Sequence, residues 1–79
     1  MDAMKKVKVK WVDSCSPADS NWHRIDELSL QPLTCESIGF VVSEDKHQIS
    51  VAGTVAESGS VYGVMTIPKR AVLKIMVIR

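Results

Sequence analysis

Apolar and polar residues alternate along most of this chain with a period of two, which is the side-chain period of a β-strand. The first such segment, residues 6–13, has three apolar residues on one face and three lysines on the other: Val7, Val9 and Trp11 against Lys6, Lys8 and Lys10. The same alternation runs through residues 34–43, 48–56, 61–67 and 70–78. Turn-forming residues separate these segments, so the pattern predicts five short strands in a small all-β barrel or sandwich.

The middle strands differ in what their two faces carry. The second strand divides into an apolar face and a mixed face: Ile38, Phe40 and Val42 against Gly39, Val41 and Ser43. The third strand contains Gly53, which interrupts an otherwise apolar face. We expect Gly53 to mark a bulge or a sharp bend, because a glycine inside a strand has no side chain to pack.

The connection between the first two strands is the longest in the chain. Its first part, "SCSPADSN", is rich in serine, proline, aspartate and asparagine, which predicts a loop. The next part, "DSNWHRIDEL", has capping residues ahead of Trp22 and Ile25. This arrangement predicts one or two helical turns with Trp22 and Ile25 on one face.

A proline separates the last two strands. Pro68 cannot donate a ladder hydrogen bond, and it disfavours helical backbone at Ile67 before it. The segment "IPKRA" is therefore predicted to be a single tight turn or a short 3₁₀ step between strands four and five.

The last strand is apolar on both faces. Alternation divides it into an inward and an outward set: Ala71, Leu73, Ile75 and Val77 inward, and Val72, Lys74, Met76 and Ile78 outward. Each large apolar side chain left exposed would forgo about 1.5–3 kcal/mol of burial. A strand with two apolar faces is covered on both or lies at a subunit boundary. We therefore predict that the outward set forms an oligomer interface, which would be head-to-tail and ring-closing if the neighbour's fourth strand accepts it.

Length and charge limit the classes of function. The 79 residues form one domain, 1–79, whose core contributes only a few kcal/mol net. The formal net charge of +1 excludes a global basic field that would recruit nucleic acid or anionic membrane. No segment has the apolar length of a signal peptide, or the roughly 18 apolar residues of a membrane span. We expect a soluble, cytoplasmic protein with no membrane partner.

Four residues have side chains that ligate zinc: Cys15, His23, Cys35 and His47. Their spacing lacks the close cysteine pairs of structural zinc sites, so no metal is predicted. The favoured interpretation of Cys15 and Cys35 is two free thiols, with one disulfide bridge as the alternative.

Three residues have the types that nucleophilic thiol catalysis needs: Asp13, Cys15 and His23. A barrel of this size has little room for both a catalytic cleft and a lid, and no glycine pattern marks an oxyanion hole or a phosphate loop. We therefore expect no enzyme activity and no cofactor.

The lysines of the first strand form a basic stripe. Lys6, Lys8 and Lys10 span about 14 Å at ~3.4 Å per residue. Together with Lys69 and Arg70, they are the candidate contacts to nucleic-acid phosphates. The favoured alternative is a charged strand that prevents edge-to-edge aggregation, since the aromatics do not interleave with the stripe in a base-stacking pattern.

The end of the chain has the pattern G-x-x-x-I-P-K-x-A-V-x-x-I, formed by Gly63, Ile67, Pro68, Lys69, Ala71, Val72 and Ile75. This pattern resembles the end of SH3-like barrels, where a fourth strand leads through an Ile-Pro turn into the fifth. A longer series of short motifs is similar to small uncharacterised phage-encoded proteins of SH3-like or Sm-like fold: Trp11-Val12-Asp13-Ser14, Trp22, Cys35-x-Ser37-x-Gly39, Glu44-Asp45 and Met65-Thr66-Ile67-Pro68-Lys69. The resemblance implies a five-stranded SH3-like or Sm-like barrel, with a short helical turn in the long loop between strands 1 and 2.

Two functions follow as hypotheses. The first is a non-enzymatic, self-associating phage-type accessory or structural protein, acting through protein–protein contacts in a bacterial or phage-infected cell. The alternative is an Sm-like ring that binds RNA or other nucleic acid through the basic stripe. Proline-peptide binding is not expected, because the chain has only four aromatic residues and no aromatic cluster: Trp11, Trp22, Phe40 and Tyr62.

Overall fold

The structure, a computed structural model, describes residues 4–14, 22–27 and 31–79. It contains five strands: β1 (Lys6–Asp13), β2 (Leu33–Glu44), β3 (Gln48–Val55), β4 (Val61–Pro68) and β5 (Val72–Val77). Two short 3₁₀ turns, Ile25–Glu27 and Lys69–Ala71, lie between β1 and β2 and between β4 and β5. The predicted all-β class, the five strands, the helical turn in the first connection and the tight turn after Pro68 are confirmed.

The strands form one antiparallel sheet in the order β4-β3-β2-β1-β5. Four strands follow one another as a meander, and β5 returns to pair with β1. No ladder joins β4 to β5 in the part of the chain that the structure describes, so the sheet does not close by hydrogen bonding. The strands β4 and β5 are therefore its two edges.

The long strand β2 is shared between two neighbours. Its first part pairs with β1, and its last part, from Phe40 onward, pairs with β3. At Gly39 the backbone of β3 comes so close that a Cβ would lie 2.8 Å from the carbonyl oxygen of Ala52. A side chain at this position would collide with backbone, so the glycine permits the close approach of β3 to β2.

The register shifts lie elsewhere than predicted. Gly53 was predicted to mark a bulge or a sharp bend, and the pairing of β3 with β4 keeps one register on both sides of it, so the first of these alternatives, the bulge, is wrong. The shifts occur between Val41 and Ser43, and between Lys10 and Trp11. A bulge leaves one residue unpaired and increases the local twist, which curves the sheet.

The curvature brings strands that are not neighbours into contact. The Ser37 hydroxyl on β2 lies 3.9 Å from the Met65 sulfur on β4, although β3 separates the two strands in the sheet. The Trp11 indole N–H donates a 2.9 Å hydrogen bond to the same hydroxyl. Both contacts lie on the concave, inner face of the sheet.

The core lies on this inner face. Its buried cluster consists of Val7, Val9, Ile49, Val51 and Ile67, with Trp11, Val41, Val72 and Ile75 packed against it. The inward placement of the apolar face of β1 is thus confirmed. On β2 it is the mixed face, with Gly39 and Val41, that points inward.

Much apolar surface stays outside this core. The exposed large hydrophobic side chains are Trp22, Ile25, Leu33, Ile38, Val42, Tyr62, Val64, Met65, Leu73, Met76 and Val77. Six of these residues lie on the two edge strands, β4 and β5, so much of the exposed apolar surface is at the edges of the sheet.

Candidate binding surfaces

The outer face of the sheet carries three parallel columns of side chains. The lysine column, Lys6, Lys8 and Lys10, runs along β1 at its centre. Each lysine has one neighbour on β2 and one on β5, which form three rows: Phe40–Lys6–Ile78, Ile38–Lys8–Met76 and Glu36–Lys10–Lys74. The predicted basic stripe is thus bordered by apolar side chains in two of its three rows.

The charges of this face are only partly paired. Lys8 Nζ lies 3.2 Å from a carboxylate oxygen of Glu36. Among the described residues, Lys10 and Lys74 form no ion pair, although they lie directly opposite each other in the ladder. Lys8, Lys10, Glu36, Lys74 and Met76 line a shallow groove of about 200 Å³. The side chains that line this groove give the boundary between β1 and β5 an excess of positive charge.

The strand β5 differs in one respect from the predicted inward and outward sets. Lys10 pairs with Lys74 but Trp11 pairs with Val72, so Leu73 is the extra residue of a bulge. Val72 consequently packs against the core, and Leu73 is 59% exposed. The assignment of Leu73 to the core side and of Val72 to the outer side is therefore wrong.

The outer side of β5 then consists of Lys74, Met76 and Ile78, and Met76 is 43% exposed.

The strand β4 has a second apolar border, which the sequence analysis did not predict. Tyr62 and Val64 lie on the outer face of β4, and both are exposed. In the sequence, Tyr62 and Val64 fall on the opposite face of the strand from Met65 and Ile67. This alternation could have identified them as an outer apolar border.

Both edges of the sheet have apolar outer borders and free backbone groups. An edge strand uses the N–H and C=O groups of only every second residue in its ladder, and the others point away from the sheet. The described residues provide no strand partner for the outer side of β4 or β5. These two edges are therefore the surfaces on which another strand can pair.

Lys69 and Arg70 line a cleft between two turns. Lys46, His47, Pro68, Lys69 and Arg70 line this cleft, which has a volume of about 540 Å³. The backbone N–H of Lys69 donates to the carbonyl of His47 at 2.8 Å and joins the turns. The cleft shares no lining residue with the groove at the β1–β5 seam. The five predicted nucleic-acid contacts thus divide into two separate groups.

A carboxylate partly neutralises the cleft. Lys69 Nζ donates a 2.7 Å hydrogen bond to Glu44. This hydrogen bond lowers the pKa of the Glu44 carboxyl below its ordinary value of 4.5; the charges of Lys69 and Lys5 act in the same direction and partial desolvation opposes them. In the turn before β3, Asp45 accepts hydrogen bonds from the backbone N–H groups of His47 and Gln48. Lys46 and Arg70 are the cleft's remaining cations.

The candidate zinc and thiol residues that the structure describes do not form a cluster. Cys15 lies outside the described residues. Cys35 is a half-buried free thiol, and its Sγ lies 3.8 Å from the Leu33 carbonyl. His23 and His47 are exposed on different turns. Within the described ranges, no three His, Cys, Asp or Glu side chains are placed to hold a metal ion.

The fold defines the class of this chain as a small all-β protein built on one curved, five-stranded antiparallel sheet. No protein-family model, curated protein or solved structure gives a significant match to the chain. None of the described residues belongs to a helix long and apolar enough to cross a membrane.

Proposed function

We propose that this protein is a non-enzymatic, self-associating accessory or structural protein of phage type that acts through protein–protein contacts. The observation that carries the proposal is the pair of sheet edges, β4 and β5, that have no further strand partner among the described residues and that each have an apolar outer border. The SH3-like or Sm-like assignment and the setting in the cytoplasm of a bacterial or phage-infected cell belong to the same proposal. They derive from the sequence resemblance.

The two edges complement each other in a head-to-tail contact. If β5 of one subunit pairs antiparallel with β4 of the next, the sheet continues across the boundary. Met76 and Ile78 then come beside Tyr62 and Val64 of the partner subunit. Such a contact uses a different surface on each subunit, so it closes into a ring or extends into a filament.

Sedimentation velocity on the wild type and on two edge variants tests the proposal. We expect the wild type to be oligomeric at about tens of micromolar. Met76→Lys and Val64→Lys should each reduce the oligomer, because a charge would be buried at one side of every contact. Ile38→Lys, which places the same charge on β2 away from both edges, is the matched control and should leave the oligomer intact.

Mixing the two edge variants distinguishes a head-to-tail contact from a two-fold contact between β5 strands. Each variant keeps one intact edge, so a head-to-tail contact predicts that the mixture forms a dimer with a single intact interface. A two-fold contact between β5 strands would instead leave Val64→Lys fully oligomeric. A monomeric wild type would reject the self-association proposal.

The alternative function is nucleic-acid binding by an Sm-like ring. Two features favour it: Lys10 and Lys74 form no ion pair among the described residues, and Lys46 and Arg70 line a separate cleft. Filter binding across a salt series tests it, since phosphate contacts weaken steeply as salt rises. Absence of binding at low salt would remove this alternative.

A further inference from the structure

Apolar side chains border the lysine column on both sides in two of its three rows, and contact with phosphates does not need such borders. On the β2 side Ile38 is 62% exposed, and on the β5 side Met76 is 43% exposed. Both residues are direct ladder neighbours of Lys8. A partner that binds this face therefore gains binding free energy by covering apolar side chains as well as by neutralising charge.

The outer face has an excess of positive charge, and the repulsion between its lysines destabilises the fold. Lys10 and Lys74 are direct cross-strand partners, and like charges in that position repel. Among the described residues, the four lysines of the outer face, Lys6, Lys8, Lys10 and Lys74, have one ion-pair partner, Glu36, which pairs with Lys8. An anionic partner would relieve the repulsion that the chain alone leaves in place.

The dimensions of the face match a short protein segment. The lysine column is about 14 Å long, and neighbouring columns are about 4.8 Å apart. A helix of roughly nine residues covers that length. A row of carboxylates along such a segment would lie over the lysines, and apolar side chains beside the row would lie over Ile38 and Met76.

We propose that the outer face of β2, β1 and β5 docks an acidic, amphipathic segment of a partner protein, with its carboxylates over Lys8, Lys10 and Lys74 and its apolar side chains over Ile38 and Met76. The charge of the face and its apolar borders together select this partner. The docking surface is the outer face of the sheet, whereas edge-to-edge association pairs the backbones of β4 and β5; the two share the outer side chains of β5, Lys74 and Met76.

A titration followed by amide chemical shifts tests the proposal. The probe is a synthetic amphipathic peptide about 15 residues long, with a row of glutamates bordered by leucines on one face. The comparison probes are the same peptide with glutamine in place of glutamate, and an oligothymidylate of similar length. We expect the acidic peptide to shift residues of β1, β2 and β5, and the glutamine peptide to bind at least tenfold more weakly.

Two variants separate the contributions of charge and apolar surface. Lys10→Gln/Lys74→Gln removes two charges that have no ion pair among the described residues, and should weaken acidic-peptide binding about tenfold, since each exposed pair contributes a few-fold. Ile38→Ser should weaken it severalfold without affecting the oligothymidylate. Lys46→Gln/Arg70→Gln, which removes two charges from the separate cleft, is the matched control and should leave peptide binding unchanged.

Three results would overturn the proposal. The first is equal binding of the acidic and glutamine peptides. The second is oligothymidylate binding tighter than the peptide with no effect of Ile38→Ser, which would assign the face to nucleic acid. The third is peptide-induced shifts confined to the cleft at residues 46–47 and 69–70. Sedimentation of the same samples shows independently whether self-association persists.

Discussion

Gly39 lies where the backbone of β3 comes close to that of β2. Its ideal Cβ position lies 2.8 Å from the Ala52 carbonyl oxygen and 3.1 Å from the Val51 Cβ. The neighbouring atom is backbone of a paired strand, which cannot move aside without breaking the ladder. The alternation of side chains along β2 predicts a strand at Gly39 but contains no information about this approach.

Gly39→Ala should lower the free energy of unfolding by about 1–3 kcal/mol, the usual cost of overpacking. Urea denaturation measures it. Gly53→Ala is the matched control, because the nearest atom to its Cβ position is 4.0 Å away. We expect the control to stay within about 0.5 kcal/mol of the wild type. Equal losses in both variants would contradict a steric role for Gly39.

Glu44 gives the protein a pH-dependent ion pair. Its pKa is lowered in the folded protein, chiefly by the hydrogen bond from Lys69. The stabilisation is therefore fully present above the ordinary pKa of 4.5 and is lost as pH falls through the lower folded value. The pair is about one-third exposed, so its contribution is below about 1 kcal/mol.

The unfolding free energies of the wild type and Glu44→Gln should accordingly differ at pH 7 and converge in acid, below the lowered pKa that Glu44 has in the folded protein. Chemical denaturation at the two pH values measures the difference. Glu57→Gln removes the same charge without breaking an ion pair in the described chain, and it corrects for the change in net charge. A difference between wild type and Glu44→Gln that persists in acid would mean that the ion pair is not its cause.

At the scale of the elements, the pairing of β1 with β5 decides which surface is buried. Strict alternation assigns Leu73 inward and Val72 outward, but the bulge opposite Lys10 and Trp11 reverses the two. Beyond the bulge, Ile75 packs against the core as alternation predicts. A register shift depends on the partner strand, so the sequence of β5 alone could not reveal it.

The direct pairing of Lys10 with Lys74 leads to a prediction at the same scale. Lys74→Glu replaces a like-charge pair by an opposite-charge pair, and should raise the free energy of unfolding by about 0.2–1 kcal/mol. Thermal or urea denaturation at low salt measures the gain, and added salt should reduce it. Lys46→Glu, in a turn with no ladder partner, is the control for net charge. Unchanged or reduced stability of Lys74→Glu would show that the two lysines do not repel.

At the scale of the whole molecule, the main feature is the small core beneath a large exposed surface. Six hydrophobic residues are buried, whereas eleven large ones are exposed among the described residues. A chain of this length contributes only a few kcal/mol from its own core. Association at the sheet edges would therefore account for part of the protein's stability.

Self-association predicts that the thermal midpoint depends on protein concentration. Mass action stabilises the associated state, so dilution should lower the midpoint by several degrees over about a hundredfold range. Differential scanning calorimetry or fluorimetry measures it. The edge variant Met76→Lys should show a midpoint independent of concentration. A wild-type midpoint that does not move on dilution would contradict association under these conditions.

The sequence by itself determined the local features of this protein. Alternation identified the five strands, the apolar face of β1 and its column of lysines, and Pro68 identified the tight turn before β5. These features depend on neighbours in sequence, whose side-chain directions follow from backbone geometry alone. Only the tertiary structure decided which strand lies beside which, that β4 and β5 remain open edges, and that Lys10 faces Lys74. Those facts depend on register and curvature, which arise from contacts between residues far apart in the chain.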